Sequence, residues 1–229
     1  MYQTLKILAN IIGKPKAAFR VLKDQPDWFK TFIIIALVSI GIAWAVLPFS
    51  QQVGHAKMLE SGLDAPQIEQ NQTTVEKLSF LTRLFTPFSL LLKCLVSAGI
   101  LYFGSQFLGS QQALKFKSMF AVTVHTELIL VLSHLINAAL LLSFKDINDV
   151  QKPIDLQMIP GLHFLFGDHP LGVLKLTLLS QVTPFAIWYL IVLSLGVAIV
   201  ADLKRKRVEW LVVLVWLVDI GFRVAVSAL

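Results

Sequence analysis

The chain has 229 residues, 56% of them hydrophobic and 15% charged, with a mean hydropathy of +0.72. Soluble domains carry about 25% charged residues, so this composition excludes an ordinary soluble enzyme and describes an integral membrane protein. The formal charge of +6 then reads as edges facing anionic lipid rather than a nucleic-acid surface, and a lone cysteine, Cys94, excludes an intramolecular disulfide or thiolate metal cluster.

Residues 1–25 are expected to form a cytoplasmic amphipathic segment. On a helical wheel for residues 5–23, Leu5, Leu8, Ile11, Ile12, Ala18, Phe19 and Leu22 cluster on one side. Lys6, Lys16, Arg20 and Lys23 occupy the opposite arc, which predicts an interfacial helix with its apolar face in lipid. Gly13-Lys14-Pro15 breaks it in two, with Pro15 starting the second piece and Trp28 anchoring the approach to the first span.

Spanning takes about 20 predominantly apolar residues. Five segments qualify, at about 29–49, 86–107, 117–143, 183–202 and 209–228. Outer loops over about 50–85 and 144–182, and short links near 108–116 and 203–208, separate them. The first apolar run is too long, and starts too late, for a cleaved signal with its core of about 7–15 residues. It reads as a retained anchor.

Basic residues near span ends stay cytoplasmic. With the N-terminus inside, the inner edges hold Lys6, Lys14, Lys16, Arg20, Lys23, Lys30, Lys115, Lys117 and the tetrad Lys204, Arg205, Lys206 and Arg207. The outer loops carry most of the acids, including Glu60, Asp64, Glu69, Glu76, Asp146, Asp149, Asp155 and Asp168. The expected fold class is therefore an all-α membrane protein with five transmembrane helices, N-in and C-out, plus amphipathic surface helices.

"TPFSLLLKCLVSAG" (86–99) and "TPFAIWYLIVLSLG" (183–196) align without a gap. Each Thr-Pro pair predicts a helix start, the hydroxyl capping free amides and proline taking the first helical position. Gly99 and Gly196, with Ser97 and Ser194, are suited to close helix approach. Two readings stand, a parallel duplication or the ordinary frequency of small residues in spans.

Ionisable side chains inside spans cost about 2.5–3.5 kcal/mol each on insertion scales. Lys93, Glu127, Asp219 and Arg223 are the four here. Counted from the span ends, they lie within about one turn of each other in depth. Asp219 and Arg223 are four apart on one helix, acid first. Two acids and two bases predict a neutral intramembrane network, with His134 and Asn137 slightly outward and His125 slightly inward. It serves packing and register, or a proton- or ion-linked path. His163, Asp168 and His169 offer three donors without a cysteine and carry no metal assignment. No Gly-rich phosphate loop, H-E-x-x-H or G-x-S-x-G occurs, so no catalytic residue and no cofactor is expected.

Three segments carry a family resemblance. "LLSQVTPFAIWYLIVLSLGVAIVADLKRKR" resembles the last-but-one span and basic loop of bacterial members of the Yip family, whose eukaryotic relatives bind Ypt/Rab GTPases. "LKFKSMFAVTVHTELI" is similar to that family's third-span start, and "KPKAAFRVLKDQPDWF" to its opening. The resemblance covers roughly residues 13–225. It implies a five-helix bundle with a cytoplasmic N-terminus, of bacterial type and in the inner membrane. The chain lacks the long polar N-terminal region of the eukaryotic proteins and their aspartate- and tyrosine-containing motif, so GTPase binding is not carried over. The expected function is non-enzymatic: membrane organisation or interaction with membrane proteins or lipids. The expected lipid contacts are Lys14, Lys16, Arg20, Lys23 and Lys204–Arg207. The alternative is a small transporter, channel or lipid-moving protein using the intramembrane charges.

Overall fold

The computed structural model describes residues 2–62, 64, 67, 70–71, 80, 83–110, 114–166 and 172–227, with backbone alone for residues 2, 173 and 222–227. Every regular element among the described residues is helical. The α-helices are α1 (Tyr2–Gly13), α2 (Pro15–Asp24), α3 (Phe29–Ala45), α4 (Leu47–Glu60), α5 (Thr86–Phe107), α6 (Phe116–Phe144), α7 (Val173–Ser180), α8 (Pro184–Ala201) and α9 (Arg205–Ser227). Short 3-10 turns cover Ile147–Asp149, Pro153–Leu156 and Leu162–Phe166. The chain divides into two compact units, one of Met1–Ile35, Leu91–Leu130 and Pro160–Leu229, the other of Ala36–Leu90 and Val131–Ile159.

In the first unit, Pro15 starts α2, as its fixed φ and missing N–H favour. Ala18, Phe19 and Leu22 fall on one face, and that face packs on α8. The fit depends on Gly196. A Cβ there would lie 2.8 Å from two Phe19 ring atoms and from Val122 Cγ1. The amphipathic stripe is therefore used differently from the sequence expectation. Leu8, Ile11, Ala18, Phe19 and Leu22 are buried in protein rather than facing lipid, while Leu5 and Ile12 stay exposed. The stripe meets a helix surface that a glycine has hollowed out.

Helix α8 has defined ends. Thr183 is its N-cap, the hydroxyl accepting from the Ala186 N–H at 3.1 Å. Asp202 ends it in the left-handed region at φ 55°, and Leu203 N–H donates back to the Ala198 carbonyl at 3.0 Å. The aligned positions of α5 behave otherwise. Thr86 is already the first residue of α5, and nothing lies within 4 Å of a Cβ built on Gly99. The two segments share sequence without sharing these contacts.

In the second unit, the apolar run expected to span over 29–49 bends by 51° between α3 and α4. Pro48 is the cause, because it offers no N–H to the carbonyl four residues back and its ring crowds that carbonyl. Helix α4 therefore occupies residues expected to begin a polar loop. Its Phe49 and Val53 form a small core with Leu141 and Val150, flanked by Val46, Leu156 and Met158. Asn137 of α6 closes the loop beside that core. Its side-chain amide donates to the Leu156 carbonyl at 2.8 Å. Its carbonyl oxygen accepts from the N–H groups of Met158 and Ile159 at 2.8 and 3.1 Å.

Among the described residues, α5, α6 and α8 are long and apolar enough to cross a membrane, and the bent pair α3–α4 makes four if it counts as one span. The run expected as a fifth span lies in α9, which is not among these helices and carries Asp219 and Arg223. At 1.5 Å per residue, the 29 residues of α6 extend about 43 Å, longer than the ~30 Å hydrocarbon layer.

The contrast between the two glycines is testable. Gly196→Val overpacks the Phe19 seat and costs about 1–3 kcal/mol, seen as a lower midpoint of thermal unfolding in detergent. Gly99→Ala faces open space and stays within about 0.5 kcal/mol of the parent. Equal effects at both positions would contradict the packing described.

Candidate functional site

Helix α6 carries a buried polar strip through the first unit: Thr123, His125, Thr126 and Glu127. Lipid offers no water to such groups, so each needs a partner inside the protein. The two threonine hydroxyls use their own helix, donating to the carbonyls of Phe120 and Val122, both at 2.8 Å. Thr123 Oγ1 also lies 3.4 Å from the Cys94 carbonyl of α5. His125 Nδ1 sits 2.8 Å from the Ala121 carbonyl, which can only accept, so the proton is on Nδ1. In the neutral ring Nε2 then accepts from Thr31 Oγ1 of α3 at 2.9 Å.

Glu127 meets Lys93 of α5, whose Nζ donates to Oε1 at 2.5 Å. The carboxylate side chain is 7% exposed and the lysine 21%. Lys93 Nζ also stands 5.9 Å from the centroid of the Tyr189 ring of α8, within cation–π range. One charge pair thus touches three helices. A buried pair adds little net stability over an apolar packing, but removing one partner strands a charge and costs about 3–5 kcal/mol.

Of the expected intramembrane network, the structure brings Lys93 and Glu127 into contact. Asp219 is half-buried on α9. The side chain of Arg223 lies outside the described residues. His134 comes seven residues after Glu127 on α6, in the second unit, and is exposed. His163 lies on the Leu162–Phe166 turn; Asp168 and His169 fall outside the described residues. The Thr31–His125 bond and the Asn137 clamp escaped the sequence reading. A polar residue within an apolar run announces a need for partners, but the partner of His125 lies 94 residues away.

The basic residues also have a definite setting. With the apolar face of α2 on α8, Lys14, Lys16 and Arg20 point away from the bundle and are exposed, with Lys23 half-buried. Phe19 reaches Gly196, five residues before the end of α8, so α2 lies near the helix end that leads into the tetrad. Lys204, Arg205, Lys206 and Arg207 are all exposed, and Arg205 Nε pairs with Glu209 at 3.1 Å. Ser110 Oγ donates to the Ala201 carbonyl at 2.9 Å, tying the α5–α6 link to the same end. Lys115 and Lys117, exposed where α6 begins, complete this basic rim.

Several long apolar helices with paired charges between them define a multi-pass membrane protein. The family model of the Yip1 domain matches residues 9–226, nearly the whole chain, and the chain belongs to that family. No curated protein and no solved structure matches it significantly.

The ion pair supports a double-mutant cycle. Lys93→Met alone leaves Glu127 unpaired and lowers the free energy of unfolding by about 3 kcal/mol. Adding Glu127→Leu recovers most of that loss, giving strong non-additivity in thermal unfolding. Additive losses would mean that the two side chains do not act as a pair.

Proposed function

We propose that this Yip1-domain protein is a five-span, N-in/C-out, non-enzymatic component of a bacterial inner membrane. Its role is to organise that membrane by engaging anionic lipids and neighbouring membrane proteins. The observation that carries this reading is the setting of α2. Its apolar face is spent on α8, leaving Lys14, Lys16 and Arg20 outward at the helix end that also carries Lys204–Arg207. Each basic residue near an anionic leaflet contributes about 1 kcal/mol, and the attraction weakens within a Debye length. A rim of this kind also holds its end of the protein at the cytoplasmic face.

Co-purification of lipid from native membranes tests the reading. The parent protein retains phosphatidylglycerol and cardiolipin above their bulk proportion. Lys16→Gln/Arg20→Gln combined with neutralisation of Lys204–Arg207 brings the retained lipid to bulk composition, with topology checked by terminal reporters. Retention unchanged in that variant refutes lipid engagement by the rim.

A second reading has its own observation. Lys93 keeps 21% of its side chain exposed while bound to a buried carboxylate, an arrangement compatible with a proton- or ion-linked path. In proteoliposomes containing a pH-sensitive dye, Glu127→Gln would abolish a proton flux present in the parent. Full retention of flux, or no flux in the parent, leaves the pair as a packing device.

A further inference from the structure

The 3-10 turn Leu162–Phe166, sequence LHFLF, displays its four large apolar side chains outward, while His163 is half-buried. Phe164 is 73% and Leu165 79% exposed, and Leu162 and Phe166 are also exposed. No charged residue occurs from Ile159 to Phe166. An irregular tail would hide or scatter such residues, but this turn is held firmly. Leu162 N–H donates to the Val182 carbonyl at 3.1 Å, and Phe164 N–H to the Gly161 carbonyl at 3.1 Å. Gly161 lies so close to α7 that a Cβ would stand 2.7 Å from the Ser180 carbonyl oxygen and 2.9 Å from that of Leu179. The turn packs on α7, which itself exposes Leu174 and Leu178 and carries the exposed Lys175.

The place of this patch identifies its occupant. Val182, the residue that holds Leu162, immediately precedes the Thr183 cap of the membrane-crossing helix α8. The patch therefore sits at the N-terminal end of a helix long and apolar enough to cross a membrane. Helix α8 itself exposes Ile187 and Ile191 in the two turns beyond that end. Exposed aromatic and aliphatic residues backed by a lysine, at the mouth of a span, suit the boundary between head groups and acyl chains.

We propose that the 162–166 turn and α7 form an interfacial insertion. Phe164 and Leu165 dip into the leaflet at the N-terminal end of α8, opposite the end that carries the basic tetrad. This contact is separate from the spans and from the basic rim, and does not depend on the function proposed above.

Depth-dependent fluorescence quenching decides it. Leu165→Cys is labelled with an environment-sensitive probe in full-length protein reconstituted into phosphatidylcholine/phosphatidylglycerol vesicles; the native Cys94 is buried. The expected result is blue-shifted emission, loss of most intensity to lipids brominated near the head group, weaker quenching by deeply brominated lipids, and protection from aqueous iodide. Phe164→Cys repeats the measurement if the first variant folds poorly, since both side chains lie outside the core. Iodide access without lipid quenching overturns the proposal. So does efficient disulfide formation between Leu165→Cys copies with no lipid quenching, which would give the patch to a second copy of the chain.

Discussion

The first unit depends on the rule that a polar group at membrane depth must find its partner inside the protein. Helix α6 presents Thr123, His125, Thr126 and Glu127 within one and a half turns, all buried. The threonines satisfy themselves against their own helix, and so does Nδ1 of His125 through the Ala121 carbonyl, but His125 Nε2 and the Glu127 carboxylate cannot. His125 needs Thr31 on α3, and Glu127 needs Lys93 on α5. Those two contacts fix the rotation and register of both neighbours against α6. A stranded buried charge costs about 3–5 kcal/mol, against a total folding free energy of about 5–15 kcal/mol. Few alternative registers survive that penalty.

The second determinant is shape. Phe19 enters the hollow at Gly196 and draws α2 onto α8, so an amphipathic helix suited to lipid packs on protein instead. This changes the meaning of its basic face. A helix floating in the interface turns its charges toward its own surrounding head groups. A helix fixed to α8 delivers Lys14, Lys16 and Arg20 to a defined end of the bundle, where Ser110 also ties down the neighbouring link. Packing thereby converts a diffuse amphipathic signal into a located charged rim. The opposite end of α8 shows the converse arrangement, in which backbone bonds hold apolar side chains outward.

Local features of the chain were legible from residue chemistry. Thr183-Pro184 announced a helix start and became a capped one, because capping needs only neighbouring atoms. The long apolar runs of α5, α6 and α8 appear close to their expected limits for the same reason. The bend at Pro48 does not follow from the apolar run around it: hydropathy averages over many residues, whereas a missing N–H acts at one peptide. The likeness of residues 86–99 to 183–196 also carried less than it offered. Gly99 meets open space and Gly196 a phenyl ring, since a neighbour's side chain, not the glycine, decides what fills the gap.

Sequence alone determined that this is an apolar, multi-pass helical protein with ionisable groups inside its apolar runs, because composition and hydropathy follow directly from residue type. Counting along the spans also brought Lys93 and Glu127 to similar depth. Only the tertiary structure decided that these two touch, that Tyr189 of α8 stands beside them, and that Asn137 grips the loop at 156–159. It likewise decided which side of α2 is buried in protein. Partners 19 to 96 residues apart leave no periodic trace in a single chain. A hydrogen bond requires specific distances and directions, and those exist only once the helices are packed.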